Sequence, residues 1–268
     1  MTSLIAWTGV DSRGPSSIYL ASDSRISWEN RDTWDFGRKV FASYRYPDIL
    51  GYYGDVLFTS QVLGQVISLI DADSLFKTDS TPESKFEAIC TMLKQAHSTY
   101  PEKMRRTFSI VHCSRRDSGM STSFALSELS WEPNRGWQTR AIPVPTKSDV
   151  AAIYGSGERN VLESIKQWKR SEVGGTSRSI FSAFCDSLTS GSDPATGGAA
   201  QLVGIYRQAG ARLFGVIYKK SRYLQGLCVD GLPYLGGVEW FNELFERCDW
   251  EIMDRLNGAQ PQPRPHNL

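Results

Sequence analysis

Residues 4–23 read LIAWTGVDSRGPSSIYLASD, and this stretch decides the fold. Leu4–Thr8 and Ile18–Asp23 are apolar and rich in residue types that favour strands. The segment between them, Gly9–Ser17, is rich in glycine, proline, serine and aspartate, which is typical of a turn. Two apolar runs around such a turn predict a β-hairpin at the start of the chain.

The rest of the chain alternates between groups of strands and pairs of helices. The first helix pair begins at Asp55, a good N-cap, and at Thr81, a second cap that is followed by the proline tolerated in a first turn. The order of elements predicts an α+β fold in which two antiparallel sheets are each covered by a helix layer, a four-layer αββα sandwich. The predicted strands are Lys39–Tyr44, Ile49–Gly54, Thr107–Cys113, Ser121–Trp131, Trp137–Val144, Val150–Tyr154, Ala200–Tyr206 and Leu213–Lys219, and the predicted helices are Val56–Ile70, Pro82 towards Tyr100, Glu158–Arg170 and Thr176–Leu188.

The chain beyond residue 219 has a different character. Residues 220–257 are expected to form an extension with an aromatic-rich helix that includes Trp240, Phe241, Leu244, Phe245 and Trp250, the first four of them at helix-like spacing. Residues 258–268 contain three prolines and no apolar cluster, which predicts a disordered tail. The main domain is therefore expected to cover residues 1–219.

Composition excludes several classes of function. The 268 residues carry 30 Lys and Arg against 29 Asp and Glu, and this net charge of +1 argues against a nucleic-acid partner. No run of about 20 apolar residues predicts a membrane span. Five scattered cysteines without a CxxC pair, and first residues unlike a signal peptide, indicate a cytoplasmic protein. Three scattered histidines are too few for a His-based metal site, and no metal or cofactor is expected.

The chemistry of the sequence begins at Thr2. Removal of Met1 would give Thr2 a hydroxyl and a free α-amine on one residue. With an ordinary pKa of about 7.7–8.0, the amine is partly neutral at neutral pH and can take the hydroxyl proton. A threonine at position 2 is also common by chance, so the interpretation depends on what else accompanies it.

Asp23 ends the second predicted strand, and Lys39 opens the third. A lysine buried beside an N-terminal threonine would lower the pKa of the hydroxyl and of the α-amine. A lysine buried there needs a carboxylate to remain charged, and Asp23 can supply it. Taken alone, such residues are surface charges in most proteins.

Three further segments contain candidate groups. Gly54 ends a strand before a helix, where its N–H can point at a developing oxyanion or where it simply forms an ordinary strand-to-helix turn. Ser156, in a Gly-Ser-Gly turn, is a candidate accessory hydroxyl or simply a helix cap. Asp193 and Thr196 can hydrogen-bond the threonine amine, or else belong to a plain glycine-rich loop.

Taken in order, these elements resemble the proteasome β-subunit family of the N-terminal-nucleophile hydrolases, from Thr2 to about Lys219. The family fold is a four-layer αββα sandwich, as the pattern of elements also predicts. A longer first hairpin, Pro194 and the extension beyond residue 219 depart from the family pattern. The resemblance implies a catalytic set of Thr2, Asp23, Lys39, Gly54, Ser156, Asp193 and Thr196, and substrate-binding residues Arg25, Ser27 and Tyr52.

The resemblance further implies a threonine peptidase that acts on peptides or unfolded proteins. It also implies a homo-oligomeric ring, and apolar faces expected on Val56–Ile70 and Trp240–Phe245 would serve its contacts. An ATPase partner is left open. Two alternatives remain: an N-terminal-nucleophile amidase acting on a small amide, and a non-catalytic assembly subunit.

Overall fold

The computed structural model describes residues 2–28, 32–191, 193–233 and 236–265. Within these ranges the chain forms four α-helices and three β-sheets, which confirms the predicted mixture of helices and sheets. The elements are β1 (Leu4–Asp11), β2 (Gly14–Ser22), β3 (Ile26–Ser27), β4 (Thr33–Trp34), β5 (Val40–Ala42), β6 (Asp48–Gly54), α1 (Leu57–Asp71), α2 (Pro82–Ser98), β7 (Phe108–Arg116), β8 (Ser123–Glu132), β9 (Gly136–Ile142), β10 (Asp149–Tyr154), α3 (Glu158–Lys169), α4 (Ser177–Thr189), β11 (Gln201–Tyr206), β12 (Arg212–Tyr218), β13 (Ser221–Leu224), β14 (Leu227–Cys228), β15 (Glu239–Asn242) and β16 (Arg247–Cys248).

The predicted first hairpin is confirmed. β1 and β2 pair antiparallel, with Leu4 opposite Ser22 and Thr8 opposite Ile18. The hairpin lies inside the large sheet, whose strand order is β10-β1-β2-β11-β12-β13-β14. Because β1 and β2 have neighbours on both sides and are covered on both faces, their apolar residues are almost entirely buried.

A second sheet, called the small sheet below, has five antiparallel strands, β5 to β9, in chain order. The third sheet is the pair β3 and β4. The helix that precedes β7 begins as predicted, with Thr81 accepting a hydrogen bond from the Ser84 amide at 3.3 Å. α1 begins at Leu57, one residue later than predicted, and the Asp55 carboxylate accepts a hydrogen bond from the Phe58 amide at 3.1 Å. No helix in the described ranges is long and apolar enough to cross a membrane.

Three apolar clusters show how the elements stack. One cluster joins α3 and α4 to a face of the large sheet through side chains such as Trp168 and Phe181. A second joins α1 and α2 to the small sheet, with Leu63 among its fully buried members. The third lies between the sheets and unites Leu4 of the large sheet with Val111 of the small one. These clusters pack α3 and α4 on the large sheet, α1 and α2 on the five-stranded sheet, and these two sheets on each other.

The predicted aromatic-rich helix in residues 220–257 is wrong. Trp240 and Phe241 lie in β15, which pairs in parallel with β12 and so extends the large sheet. The helix-like spacing misleads because the strand ends at once in a tight turn. There Asn242 Oδ1 accepts hydrogen bonds from the Leu244 and Glu246 amides at 3.0 Å, and Phe245 has φ of 56°. This turn brings Phe245 back onto Phe241, with ring centroids 4.7 Å apart.

The prediction of a disordered tail is wrong for residues 258–265, which lie along α4. Gln262 is 3% exposed, and its side-chain amide donates to Ser182 Oγ at 2.7 Å. Arg264 pairs with Asp186 at 2.7 Å. Composition alone does not reveal these contacts, because they are polar and join segments far apart in the sequence. Residues 266–268 lie outside the described ranges.

Candidate active site

Thr2 precedes β1 and is enclosed by the turn between β10 and α3. Only 1% of its surface is exposed, and its Oγ1 has no hydrogen-bond partner within the described part of the chain. A Cβ atom at Gly155 would lie 1.8 Å from the Thr2 carbonyl oxygen. Gly155 also has φ of +88°, so glycine is required here twice over. The turn thus packs directly on the Thr2 backbone while the hydroxyl stays unengaged.

Asp23 directly follows β2 and forms an ion pair with Lys39. Lys39 Nζ lies 2.8 Å from Asp23 Oδ1, and neither side chain has any exposed surface. The same oxygen accepts a hydrogen bond from the Ser3 amide at 2.9 Å. One carboxylate oxygen therefore links the lysine to the peptide group that joins Thr2 to Ser3.

Main-chain groups satisfy the rest of this pair. Asp23 Oδ2 accepts hydrogen bonds from the Arg25 amide at 3.1 Å and the Gly197 amide at 3.2 Å. The Lys39 ammonium also donates to the Arg25 carbonyl at 2.5 Å. Burial lowers the pKa of Lys39 below its ordinary 10.5, against the attraction of Asp23. The pair is thus a buried charge centre with fixed partners, as a buried ion pair requires.

Gln201, the first residue of β11, is a site residue that the sequence did not reveal. Its Oε1 accepts a hydrogen bond from the Lys39 amide at 3.0 Å. Its Nε2 donates to the carbonyls of Asp23 at 3.0 Å and Gly37 at 2.8 Å. The available signal was a polar residue, only 1% exposed, at the head of an apolar strand. Gln201 fixes the segments that carry both members of the ion pair.

The predicted accessory residues meet at the turn that encloses Thr2. Ser156 Oγ donates to Asp193 Oδ2 at 2.9 Å. Thr196 is 6% exposed, and its Cγ2 would lie 3.2 Å from a Cβ atom at Gly157. The same Cβ would lie 1.8 Å from Ser3 Oγ. The Gly-Ser-Gly turn, the loop before β11 and the start of β1 are therefore in contact.

Arg25 holds the loop before β11 in place. Its guanidinium makes two hydrogen bonds to the Asp35 carboxylate, at 2.7 and 2.8 Å, and a third to the Pro194 carbonyl at 3.1 Å. The predicted role in binding substrate stays a prediction, because these contacts are all within the chain. What the structure adds is that Arg25 joins the segment after β2 to the loop that carries Asp193.

An open cleft of about 1170 Å³ runs beside the start of α1, lined in part by Gly54 and Ser27. Ser27 Oγ is buried and has no hydrogen-bond partner among the described residues. Three exposed apolar side chains also line the cleft: Trp28, Leu57 and Met104, exposed by 53%, 52% and 47%. The cleft therefore offers an apolar wall next to polar groups.

Thr2 does not line the cleft, but the chain segments that carry Thr2 and Gly54 are connected through two stacked rings. Gly54 follows Tyr53, whose ring stacks on that of Tyr154 with centroids 5.0 Å apart. Gly155 follows Tyr154 and packs on Thr2. The predicted oxyanion glycine and the predicted nucleophile thus belong to two chain segments that touch through one pair of rings.

Tyr52 does not reach the cleft, and the prediction that it binds substrate is wrong. Its side chain is fully buried in the cluster beneath α1, and its hydroxyl donates to the Arg38 carbonyl at 3.1 Å. Successive side chains of a strand point to opposite faces. Tyr52 therefore faces the helices, whereas Tyr53 faces the large sheet.

No protein-family model matches the chain, and no curated protein matches it. Among solved structures, the eukaryotic HslV of Trypanosoma brucei is 11% identical, with 76% of this chain and 99% of that chain covered and a TM-score of 0.46. The BPH protein of Thiobacillus denitrificans is 13% identical, with 78% of this chain and 99% of that chain covered and a TM-score of 0.47. Its complex with epoxomicin is 14% identical, with 78% and 100% covered and a TM-score of 0.47. With identities of 11–14% and TM-scores below 0.5, these likenesses do not establish a function for this chain.

Proposed function

We propose that this chain is a threonine peptidase of the proteasome type, built as a four-layer αββα sandwich, with Thr2 as its nucleophile. The observation that carries the proposal is the position of the buried ion pair. Asp23 Oδ1 binds Lys39 Nζ at 2.8 Å and the amide that follows Thr2 at 2.9 Å. The carboxylate that holds the lysine is thus hydrogen-bonded to the peptide group that follows the residue that would attack.

Stability alone is a poor explanation for this pair. Removing two charges from water costs several kcal/mol per ion, and apolar side chains of similar volume are often equally stable or better. Asp23 and Lys39 have no exposed side-chain surface. Asp23 accepts a hydrogen bond from the amide of Ser3, the residue after Thr2, and the buried Thr2 hydroxyl has no partner in the described part of the chain. Catalysis gives such a charge pair a reason to be retained.

The steps follow from these positions once Thr2 is the first residue. Its α-amine takes the hydroxyl proton, directly or through a water, and Oγ1 attacks the substrate carbonyl carbon. The Lys39 charge lowers the pKa of the hydroxyl, and the Gly54 N–H stabilises the oxyanion. The scissile C–N bond breaks, the leaving amine receives the proton from the α-amine, and an ester remains on Thr2. Water, deprotonated by the α-amine, then hydrolyses the ester and restores Thr2.

The cleft supports a peptide or an unfolded protein as substrate rather than a small amide. Its volume of about 1170 Å³ is above the range of roughly 300–1,000 Å³ for pockets that enclose small molecules. It is open to solvent, and polar residues such as Asp55 and Ser60 also line it. Trp28 and Leu57 give it an apolar wall suited to a large apolar side chain.

We also propose a cytoplasmic homo-oligomer that encloses the site, because an open threonine site would endanger surrounding proteins. All five cysteines are unpaired, as in a reducing compartment. The expected apolar face at Trp240–Phe245 does not supply the contact between copies. Trp240, Phe241 and Phe245 are only 3%, 6% and 7% exposed, because they pack within the chain. The apolar residues of α1 are mostly buried as well, and its exposed one, Leu57, lines the cleft, so the two predicted faces do not provide the contact between copies.

Thr2→Ala, with Thr8→Ala as its matched control, tests the proposal. Thr8 is a second buried threonine of the same strand region, and it bonds main-chain carbonyls of residues 145–149 instead of the site. We expect intact mass to show a wild-type chain beginning at Thr2, which cleaves fluorogenic peptides faster as they lengthen. Thr2→Ala should lose about a thousandfold or more in turnover, and Thr8→Ala should keep it. Wild-type turnover in Thr2→Ala would refute the proposal, and activity confined to short amides would favour the amidase.

A further inference from the structure

A stacked pair of tyrosines joins the two halves of the site. Tyr53 is the residue before Gly54, and Tyr154 is the residue before Gly155. Their rings stack with centroids 5.0 Å apart and planes 17° apart. Tyr53 belongs to the small sheet and Tyr154 to the large one, so the stack bridges the layer between the sheets.

Each tyrosine precedes a glycine, and no other residue could occupy that glycine's position without strain. Gly54 has φ of +95°, and a Cβ atom there would lie 2.5 Å from the Thr107 carbonyl oxygen. Gly155 has φ of +88°, and its Cβ would lie 1.8 Å from the Thr2 carbonyl oxygen. Both strands therefore leave their sheets at fixed turns, and a helix follows each turn. A shift of either ring would be passed to the glycine beside it.

The stack has a rigid anchor on the small-sheet side. The Tyr53 hydroxyl donates to Glu128 Oε1 at 2.6 Å, and Arg140 donates to Glu128 Oε2 at 2.6 Å. Glu128 is only 6% exposed. The Tyr154 hydroxyl, in contrast, has no hydrogen-bond partner among the described residues. Tyr154 is therefore held by ring packing, while Tyr53 is held by ring packing and by hydrogen bonding.

We propose that Tyr53 and Tyr154 are positioning residues that set the separation between the Gly54 N–H and Thr2. This inference rests on the proposed function, in which Gly54 supplies the oxyanion donor. Neither tyrosine lines the cleft, so the stack acts on the geometry of the reacting groups and not on substrate binding. A misplacement of about 1 Å is enough to cost roughly a hundredfold in rate.

Tyr154→Leu tests the role of the ring, and Tyr154→Phe tests whether the hydroxyl matters. The matched control is Tyr46→Leu. Tyr46 is 6% exposed against 5% for Tyr154, and it also packs on an aromatic ring, that of Phe76, but it lies before the opposite end of β6. We expect Tyr154→Leu to lower kcat about 10–100-fold with KM within about twofold. Tyr154→Phe and Tyr46→Leu should keep kcat.

Amide hydrogen exchange provides a readout that does not require activity. Exchange at residues 54–57 and 155–158 should rise about tenfold in Tyr154→Leu and stay unchanged in Tyr46→Leu. If Tyr154→Leu does not fold, Tyr53→Leu, at a partly exposed position, is measured in the same way. Unchanged exchange and kcat in a folded Leu variant would overturn the positioning role, as would equal loss of kcat in Tyr154→Phe. A wild type that cleaves no peptide would instead refute the proposed function.

Discussion

Two buried aspartate–lysine pairs lie towards opposite ends of β6, and both have nitrogen–oxygen distances of 2.8 Å. The site pair, Asp23 and Lys39, is near the end of β6, where the Tyr52 amide donates to the Lys39 carbonyl. The far pair joins Asp48, the first residue of β6, to Lys85 of α2. Distance and burial do not separate the two pairs.

Their other partners do. Asp48 shares its carboxylate with a second side chain, His112, at 2.9 Å, so the far pair connects α2 to the small sheet. Asp23 shares its carboxylate with the amides of Ser3, Arg25 and Gly197. Main-chain partners fix a charge relative to the backbone at Thr2, whereas side-chain partners fix a helix to a sheet. A buried ion pair thus becomes a catalytic candidate through what it is bonded to.

The largest expected difference is between Lys39→Ala and Lys85→Ala. Lys39→Ala should lower the free energy of unfolding by about 3–5 kcal/mol, because the buried Asp23 carboxylate loses its ion-pair partner. Lys85→Ala should lower it by less, because Asp48 keeps His112 as a partner. Lys39→Ala should also lower kcat/KM about a thousandfold or more, while the folded fraction of Lys85→Ala keeps its turnover. Urea unfolding together with peptide cleavage checks both. Equal activity in the two variants would contradict a catalytic role for Lys39.

A second contrast uses glycines at the site end and the far end of β1. Gly155→Ala should lower kcat about a hundredfold, because the new Cβ would displace Thr2. Gly14 also has positive φ, of +103°, but nothing lies within 4 Å of its Cβ position. Gly14→Ala should therefore show only the backbone strain, about 1–3 kcal/mol in stability, with kcat unchanged. Loss of kcat in Gly14→Ala would show that strain alone disables the enzyme.

A smaller effect is expected from Ser156→Ala. This change removes one hydrogen bond, from Ser156 Oγ to Asp193 Oδ2 at 2.9 Å, at an exposed position. The loss of one such bond corresponds to about a tenfold fall in kcat. The control is Ser148→Ala, which removes two hydrogen bonds of a serine hydroxyl away from the site: one donated to the Val10 carbonyl at 3.2 Å and one accepted from the Val10 amide at 2.9 Å. Equal kcat for both variants would remove Ser156 from the site.

The pairs should also differ in pH dependence. Burial would raise the pKa of Asp48, but the hydrogen bonds and charges of His112 and Lys85 outweigh it and hold the pKa below 3.8. Stability from Asp48 is therefore present above pH 3.8 and is lost as pH falls through the lowered pKa. Asp48→Asn should flatten this acid dependence in urea unfolding. An unchanged dependence would contradict the assignment.

The pair of Asp23 and Lys39 should affect stability and activity at alkaline pH, where Lys39 titrates. The pKa of Lys39 in the folded chain is below its ordinary 10.5. Between the lowered pKa and pH 10.5, Lys39 is therefore protonated in the unfolded chain and neutral in the folded chain. The free energy of unfolding rises with pH in this window. Activity should fall in that same window, because Lys39 loses its charge. A pH profile of kcat/KM that stays flat up to pH 10.5 would contradict the role of the charge.

Sequence patterns predicted the elements well because local chemistry determines them. Thr81 caps its helix, and the apolar runs of residues 4–23 form the hairpin as expected. β15 was missed because Trp240 and Phe241 are followed by Phe245 at helical spacing, and only pairing with β12 makes the segment a strand. Long-range packing overrides local spacing there.

The candidate site was predicted unevenly for the same reason. Asp23 and Lys39 stand next to strand ends, and the order of the strands along the chain already indicates that these two ends lie close together. Gln201 and the Tyr53–Tyr154 stack connect segments more than 100 residues apart, and no local pattern marks such contacts. The prediction for Tyr52 was wrong because neighbouring residues of a strand face opposite sides of the sheet, so an error of one residue in register reverses the side that is predicted.

The central claim, that Thr2 is the nucleophile, is tested most directly by covalent labelling with a peptide epoxyketone or boronate followed by mass spectrometry. We expect one adduct per wild-type chain, located on a peptide that begins at Thr2. Thr8→Ala should carry the same adduct, and Thr2→Ala should carry none. An adduct on another residue, an equal adduct on Thr2→Ala, or peptide cleavage by a chain that retains Met1 would contradict the claim.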